Sequence, residues 1–431
     1  MSTKNISRRR FLIGATAAAT VSIVPRHVLG GPGNIPPSEV ITRAVIGTGG
    51  QGMGGHVVKN EDGKTPVMLA ACDVDKNHLA AALKKAGDKC EGYSDFRRVL
   101  DRKDIDTIHI ATPPHWHALV SLSALQAGKD VLCEKPMTRF IHEGRIVADA
   151  VKRYGRVFQI GTYGRFGMQN DREKMKLRKL LASGVLGNNG PTVRLVGGFK
   201  IKEWSGKINQ PPQPVPPELD YNFWLGPAPF KPYFAHRVHG SFRGYWDYDG
   251  GGLADMAQHF LDPAQFYLAK DDTSPVEVEA VAPFPAHPDA CGLWGRVTLK
   301  YADGTTLILE SGEWGEPPED LELWRQGEHA HHLIKWPNGE PVLSAQQRAE
   351  LAAFPNPDPL VSFQNAVKTR KQAGGNAEAA HRCATIIHLA NIAIRTGRKL
   401  KYDPVAEQFI GDAEANRFVD VPYRAPWRLE V

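Results

Sequence analysis

The sequence predicts an α/β chain, with a doubly wound parallel sheet first and an α+β domain on a large, mostly antiparallel open sheet after it. Three observations predict this. An apolar run ending in Gly47-Thr48-Gly49-Gly50-Gln51-Gly52 is followed by a second apolar run, 66–72, that ends in Asp73. From residue 40 to 162, short apolar runs alternate with amphipathic stretches of helical period, the pattern of strands joined by helical crossovers. Runs 276–282, 292–301 and 305–312 alternate every second residue, as strands with one covered face do.

The first run reads as strand, tight turn and helix start. Gly47 permits the turn, Gly49 and Gly50 let backbone N–H groups approach a pyrophosphate, and Gly52 lets helix pack closely on strand. Thr48 and Gln51 share that turn. Asp73, at the carboxyl end of the second strand, is placed for the ribose hydroxyls of an adenosine. A 2′-phosphate would meet its like charge there, so NAD is expected and NADP disfavoured. This is the fingerprint of a Rossmann dinucleotide-binding domain.

In order along the chain, strands are expected at 41–47, 66–72, 106–112, 130–134 and 157–161. Helices are expected at 51–60, 76–86, 94–101, 115–127 and 142–153. The second domain opens with a helix at 171–183 and a strand at 192–199. A proline-rich loop, 205–220, reads as a lid or subunit arm. After the three alternating strands come helices at 344–354, 358–370 and 377–396, the last stopped by Gly397. The domains thus run 41–162 and 163–400. They lie between a leader (1–33) with its linker (34–40) and a tail (401–431) strapped down by aromatics.

The net charge is +6, yet residues 1–30 hold Lys4, Arg8, Arg9, Arg10 and Arg26 and no acid, so the rest of the chain is close to neutral. No Lys/Arg stripe remains to suggest nucleic acid as a partner. Ser7-Arg8-Arg9-Arg10-Phe11-Leu12 before a modest apolar stretch resembles a twin-arginine export signal, which implies an exported or periplasmic protein without stable membrane insertion. Five scattered cysteines without a Cys-x-x-Cys read as buried thiols. His329, His331 and His332 sit in polar sequence with no acid at ligand spacing, so no metal site is expected. His115 and His117 straddle Trp116 and cannot chelate together.

Ala111-Thr112-Pro113-Pro114-His115-Trp116-His117, Ala127-Gly128-Lys129 and Glu134-Lys135-Pro136 follow strand ends that overlook the ligand crevice of such a sheet. In this order they resemble the oxidoreductase family named after glucose-fructose oxidoreductase, inositol dehydrogenase and the rhizopine-catabolism protein MocA, over roughly residues 40–400. The resemblance implies that Thr112, Pro113, His117 and Glu134 neighbour the cofactor. It also implies that Lys135 touches both the nicotinamide ribose and a substrate hydroxyl, and that Pro136 fixes a cis or strained turn. Homo-oligomers, dimers or tetramers, joined through the second sheet are a further implication.

Gly250-Gly251-Gly252 precedes Asp255 and His259, which share one helix face four residues apart. A dehydrogenase needs a base for the hydroxyl proton, and neutral histidine oriented by a carboxylate serves. The family's Asp-x-x-x-His pair maps onto Asp255 and His259, with Lys135 as third member; Asp262 reads as a local cap or pair. Tyr163, Arg165, His239 and Trp246 are expected against a carbohydrate substrate, near an aromatic wall that includes Phe223 and Trp224. Net oxidation outside the cytoplasm lacks replenished NAD, so a retained, internally recycled cofactor is expected. Two further readings stay open: redox-neutral glycoside cleavage by transient oxidation, elimination and re-reduction, and a non-catalytic periplasmic binding protein.

Overall fold

The computed structural model describes residues 39–61, 66–196, 198–282, 287–311 and 332–430. The export signal, His329 and His331 lie outside them. The first sheet contains β1 (Thr42–Ile46), β2 (Val67–Cys72), β3 (Glu91–Tyr93), β4 (Thr107–Ile110), β5 (Asp130–Cys133) and β6 (Phe158–Ile160). Its order is β3-β2-β1-β4-β5-β6, and every pairing is parallel. The order reverses beside β1, so β1 and β4 splay their carboxyl ends apart and open a crevice there. Helices α1 (Lys76–Ala86), α2 (His117–Gln126) and α3 (Ile141–Tyr154) cover the sheet.

Residue alternation sends the two sets of strand side chains to opposite faces. Ala44, Ile46, Ile108, Ile110, Val131 and Cys133 join α2 and α3 in one apolar core. Val45, Met68 and Ala71 pack with Ala82 and Ala86 of α1 on the other.

The expected helix at 51–60 is far shorter: a single π-helical turn, Gly52–His56, follows the glycine loop. Gly54 and Gly55 give a longer helix little support, and the His56 ring is drawn inward to Glu134, Nε2 to Oε1 at 2.8 Å.

The second sheet has seven strands in the order β11-β7-β10-β9-β8-β12-β13. They are β7 (Thr192–Val196), β8 (Glu277–Val281), β9 (Arg296–Lys300), β10 (Thr306–Glu310), β11 (His332–Lys335), β12 (Leu400–Asp403) and β13 (Gln408–Phe409). All pairings are antiparallel except β10 with β7. Helix α4 (Gly251–Tyr267) and helix α6 (Ala377–Thr396) pack on it, and α5 (Phe363–Thr369) lies against the first domain. The tail is less extended than expected, since it begins by adding β12 and β13. Beyond them it straps down as predicted, Trp427 meeting Trp116 at 4.8 Å and Phe223 at 5.3 Å between ring centroids.

Candidate active site

A cleft of about 330 Å³ runs from Asp73, Asp75 and His78 along the glycine turn to Lys135 and Asp255. Gly47 has φ +86°, and a side chain there would press on the Ala111 carbonyl carbon at 2.6 Å. A side chain at Gly52 would collide with the Gly47 carbonyl, whereas nothing stands within 4 Å of a Cβ at Gly50. The turn is therefore closed on its inner side and open toward the cleft, which is what a phosphate cradle requires.

Asp73 accepts hydrogen bonds from the Thr48 N–H (2.7 Å) and, through its other oxygen, from the Asp75 N–H (2.9 Å). The buried Thr112 hydroxyl has no partner although Thr112 lines the cleft. An orphaned hydroxyl, an open glycine turn and an anchored carboxylate fit the cofactor predicted from the sequence. Gly49, Gly50, Gln51, Pro113 and Glu134 line the same cleft.

At the other end, the Lys135–Pro136 peptide is cis. The Lys135 ammonium donates to the Asp255 carbonyl at 2.8 Å and to its Oδ1 at 3.1 Å. Arg243 pairs with the same Oδ1 at 2.6 Å. Burial would raise the Asp255 pKa, but Lys135 and Arg243 outweigh it and hold the carboxyl below its usual range. Lys135 has three N–H donors, and Asp255 engages two of them.

His259 lies one turn further along α4 and is not itself among the cleft-lining residues. Burial, then the Lys135 ammonium, lowers its pKa against the pull of Glu134, Asp255 and Asp262. The imidazole is therefore neutral at pH 7. Asp249, at the foot of the glycine run, is fully buried with neither carboxylate oxygen partnered. Burial and the neighbouring Asp255 push its pKa well up.

Several sequence expectations need correction. Arg165 does not face substrate: it is 1% exposed, and its guanidinium meets Asp262 at 2.5 Å and Asp271 at 3.2 Å. Asp262 consequently pairs with a residue 97 positions away rather than locally. Trp246 is buried away from the cleft, its indole N–H donating to the His287 carbonyl. Tyr163 lines a second cavity instead. His239 does line the cleft but at its Asp73 end, 3.5 Å from Asp75 and edge-on to His78. His117 is wholly buried and braces the floor, bridging the carbonyls of Thr112 (2.8 Å) and Pro136 (2.7 Å). Arg243 and Asp249 escaped sequence reasoning because Arg243 sits in a short 3₁₀ stretch, His239–Gly244, and Asp249 in irregular chain, and neither shows a periodicity that signals which way a side chain turns.

Residues 41–162 match the oxidoreductase family's NAD-binding Rossmann fold, and residues 170–429 match its C-terminal alpha/beta domain. Levoglucosan dehydrogenase from Pseudarthrobacter phenanthrenivorans is 25% identical over 48% of this chain and 43% of its own length. Inositol 2-dehydrogenase from Salmonella typhimurium is 31% identical over 28% of this chain and 35% of its own. The chain thus spans less than half of these curated relatives. Among solved structures, the WlbA dehydrogenase from Bordetella pertussis, in complex with NADH and UDP-GlcNAcA, superposes with a TM-score of 0.54 at 16% identity. That match covers 84% of this chain and 99% of the other, and shows a shared fold.

Proposed function

Because the chain belongs to the oxidoreductase family named after glucose-fructose oxidoreductase, inositol dehydrogenase and MocA, we propose that it is an exported NAD-dependent dehydrogenase. Its substrate is a sugar, polyol or glycoside, oxidised at a hydroxyl-bearing carbon. The observation that carries this reading is the Lys135 ammonium pinned on Asp255 in the dinucleotide cleft, with a neutral histidine one helical turn away.

NAD, when bound by the glycine turn, Asp73 and Thr112, supplies the hydride acceptor. Lys135 has a donor left for the substrate oxygen, and its charge steadies the negative charge that grows there. His259 takes the hydroxyl proton, and Asp255 fixes Lys135 and, through charge, favours the imidazolium that results. Phe223, Trp224 and Phe242 form an apolar cleft wall.

Cofactor retention has its own support. Residues 216–224, from the second domain, are stitched to the loop beyond Asp73: Lys76 N–H donates to the Glu218 carbonyl and Asp220 N–H to the Val74 carbonyl, both at 3.0 Å. Leu219, Phe223 and Trp224 thereby border the cleft. Such an enzyme suits twin-arginine export, which moves proteins already folded. The relatives' sugars and polyols indicate the substrate class.

The test is to purify the protein, release its bound nucleotide by denaturation, and assay a panel of polyols, sugars and aryl glycosides. Lys135→Met and His259→Asn should each lose about 10²- to 10⁴-fold in turnover while still binding NAD. Full activity in either variant refutes the assignment. Phenol release from aryl glycosides without net NADH moves it to redox-neutral glycoside cleavage.

A further inference from the structure

On the sheet face opposite α2 and α3, a second cavity of about 360 Å³ lies between the Gly52–His56 turn and α5. Strand alternation brings Arg43 of β1, Thr107 and His109 of β4 and Gln159 of β6 to its floor. The helix-covered face of a parallel sheet is ordinarily apolar, so four polar residues in this position need a reason.

Arg43 is 6% exposed, and its Nε and Nη2 have no hydrogen-bond partner. No carboxylate pairs with it among the described residues. Glu134, the acid behind the cavity-lining His56, is held by that ring and by Gln51 and lines the other cleft. Gln159 is 2% exposed, with its side-chain oxygen likewise unpartnered. Burial lowers the Arg43 pKa to about 10, so the guanidinium stays charged at neutral pH. His109, with its pKa pushed well down by burial and by Arg43, is neutral. The cavity thus holds one uncompensated positive charge. Buried cations without partners are costly and are ordinarily matched by an anion.

We propose that this cavity is a binding site for a small organic carboxylate, separate from the dinucleotide cleft. Arg43 takes the carboxylate by its planar fork, and Phe363 with its apolar neighbours on α5 covers the ligand's body. Tyr163, 56% exposed, stands on the cavity wall. One positive charge balances a monoanion, whereas a phosphate dianion would stay half neutralised. Entry need not disturb the reacting groups, because Lys135 and Asp255 line the other cavity.

The experiment uses NAD-saturated full-length protein, so that the cleft is filled, and titrates benzoate, benzamide and inorganic phosphate by calorimetry. Benzoate should bind saturably with one site per chain, and benzamide should not. Arg43→Gln should weaken benzoate at least tenfold and leave NAD affinity unchanged. Val367→Phe narrows the cavity from α5 without touching the guanidinium, and should weaken benzoate similarly even if Arg43→Gln does not fold. Absence of saturable benzoate binding overturns the proposal. So does affinity that both variants leave intact, or phosphate binding tighter than benzoate with the same dependence on Arg43.

Discussion

At the residue scale, two buried aspartates near one lysine are pushed in opposite directions because their surroundings differ. Asp255 is held below the usual carboxylate range between Lys135 and Arg243, while burial and that neighbouring negative charge push the pKa of the unpartnered Asp249 well up. The same isosteric change should therefore act differently at the two sites. Asp255→Asn leaves two cations facing each other and is expected to cost about 3–5 kcal/mol, as breaking a buried ion pair does. Asp249→Asn removes a carboxyl whose charged form its site already disfavours and should cost under about 1.5 kcal/mol, read in both cases as a urea midpoint at pH 7. Equal losses would mean that Asp249 is charged. His259 carries a kinetic counterpart. Its folded pKa lies below the usual histidine value, so the acidic limb of the kcat/KM profile should fall below pH 6.5, and His259→Asn should abolish that limb.

At the element scale, the domains are joined by charged contacts that converge on the start of the tail. Arg145 of α3 reaches Glu378 and Glu407, each at 2.8 Å, and His381 of α6 meets Glu407 at 2.8 Å. Burial opposes ionisation of Glu407, but His381 and Arg145 prevail and bring its pKa down to about 2. A carboxyl with a depressed folded pKa stabilises above its unfolded value and loses that contribution as pH falls through the folded one. Between about pH 4.5 and 2, wild-type stability should therefore drop more steeply than that of Glu407→Gln, followed by urea titration at each pH. Parallel slopes would remove Glu407 from the joint. None of these partnerships has a local sequence signal, which explains what was legible and what was not. The glycine turn and the parallel strands are short-range patterns and can be read directly. Three-residue β3, Glu-Gly-Tyr with two exposed positions, carries too little pattern to find. Arg165 follows a strand end just as a substrate-facing residue would, and Asp262 and Asp271, 97 and 106 positions away, turn it inward.

At the scale of the whole molecule, the cleft is bounded by two bodies whose contacts leave little freedom to open by hinging. Lys135 to Asp255, the Thr162 hydroxyl to Asp262 and the Ile160 N–H to the Gly375 carbonyl tie the carboxyl edge of the first sheet to the second domain. Cofactor exchange then depends on the segment around Leu219–Trp224, the part of the wall that bridges the domains at the Asp73 end. That segment is buckled from outside by the tail: Arg424 donates to the Asn222 and Gly226 carbonyls at 2.8 and 2.9 Å, and Trp427 meets the stacked Trp116 and Phe223 rings edge-on. Trp427 does not line the cleft, so it affects the nucleotide only through the buckle. Trp427→Ala should free the segment and raise the dissociation rate of bound NAD about tenfold, the equivalent of roughly 1.4 kcal/mol taken from the closed state. A chase of labelled nucleotide measures this directly. Turnover at saturating NAD should hold, because Lys135, Asp255 and His259 keep their places. A variant less stable to urea but with an unchanged NAD off-rate would show that the tail supports the fold without controlling the cleft.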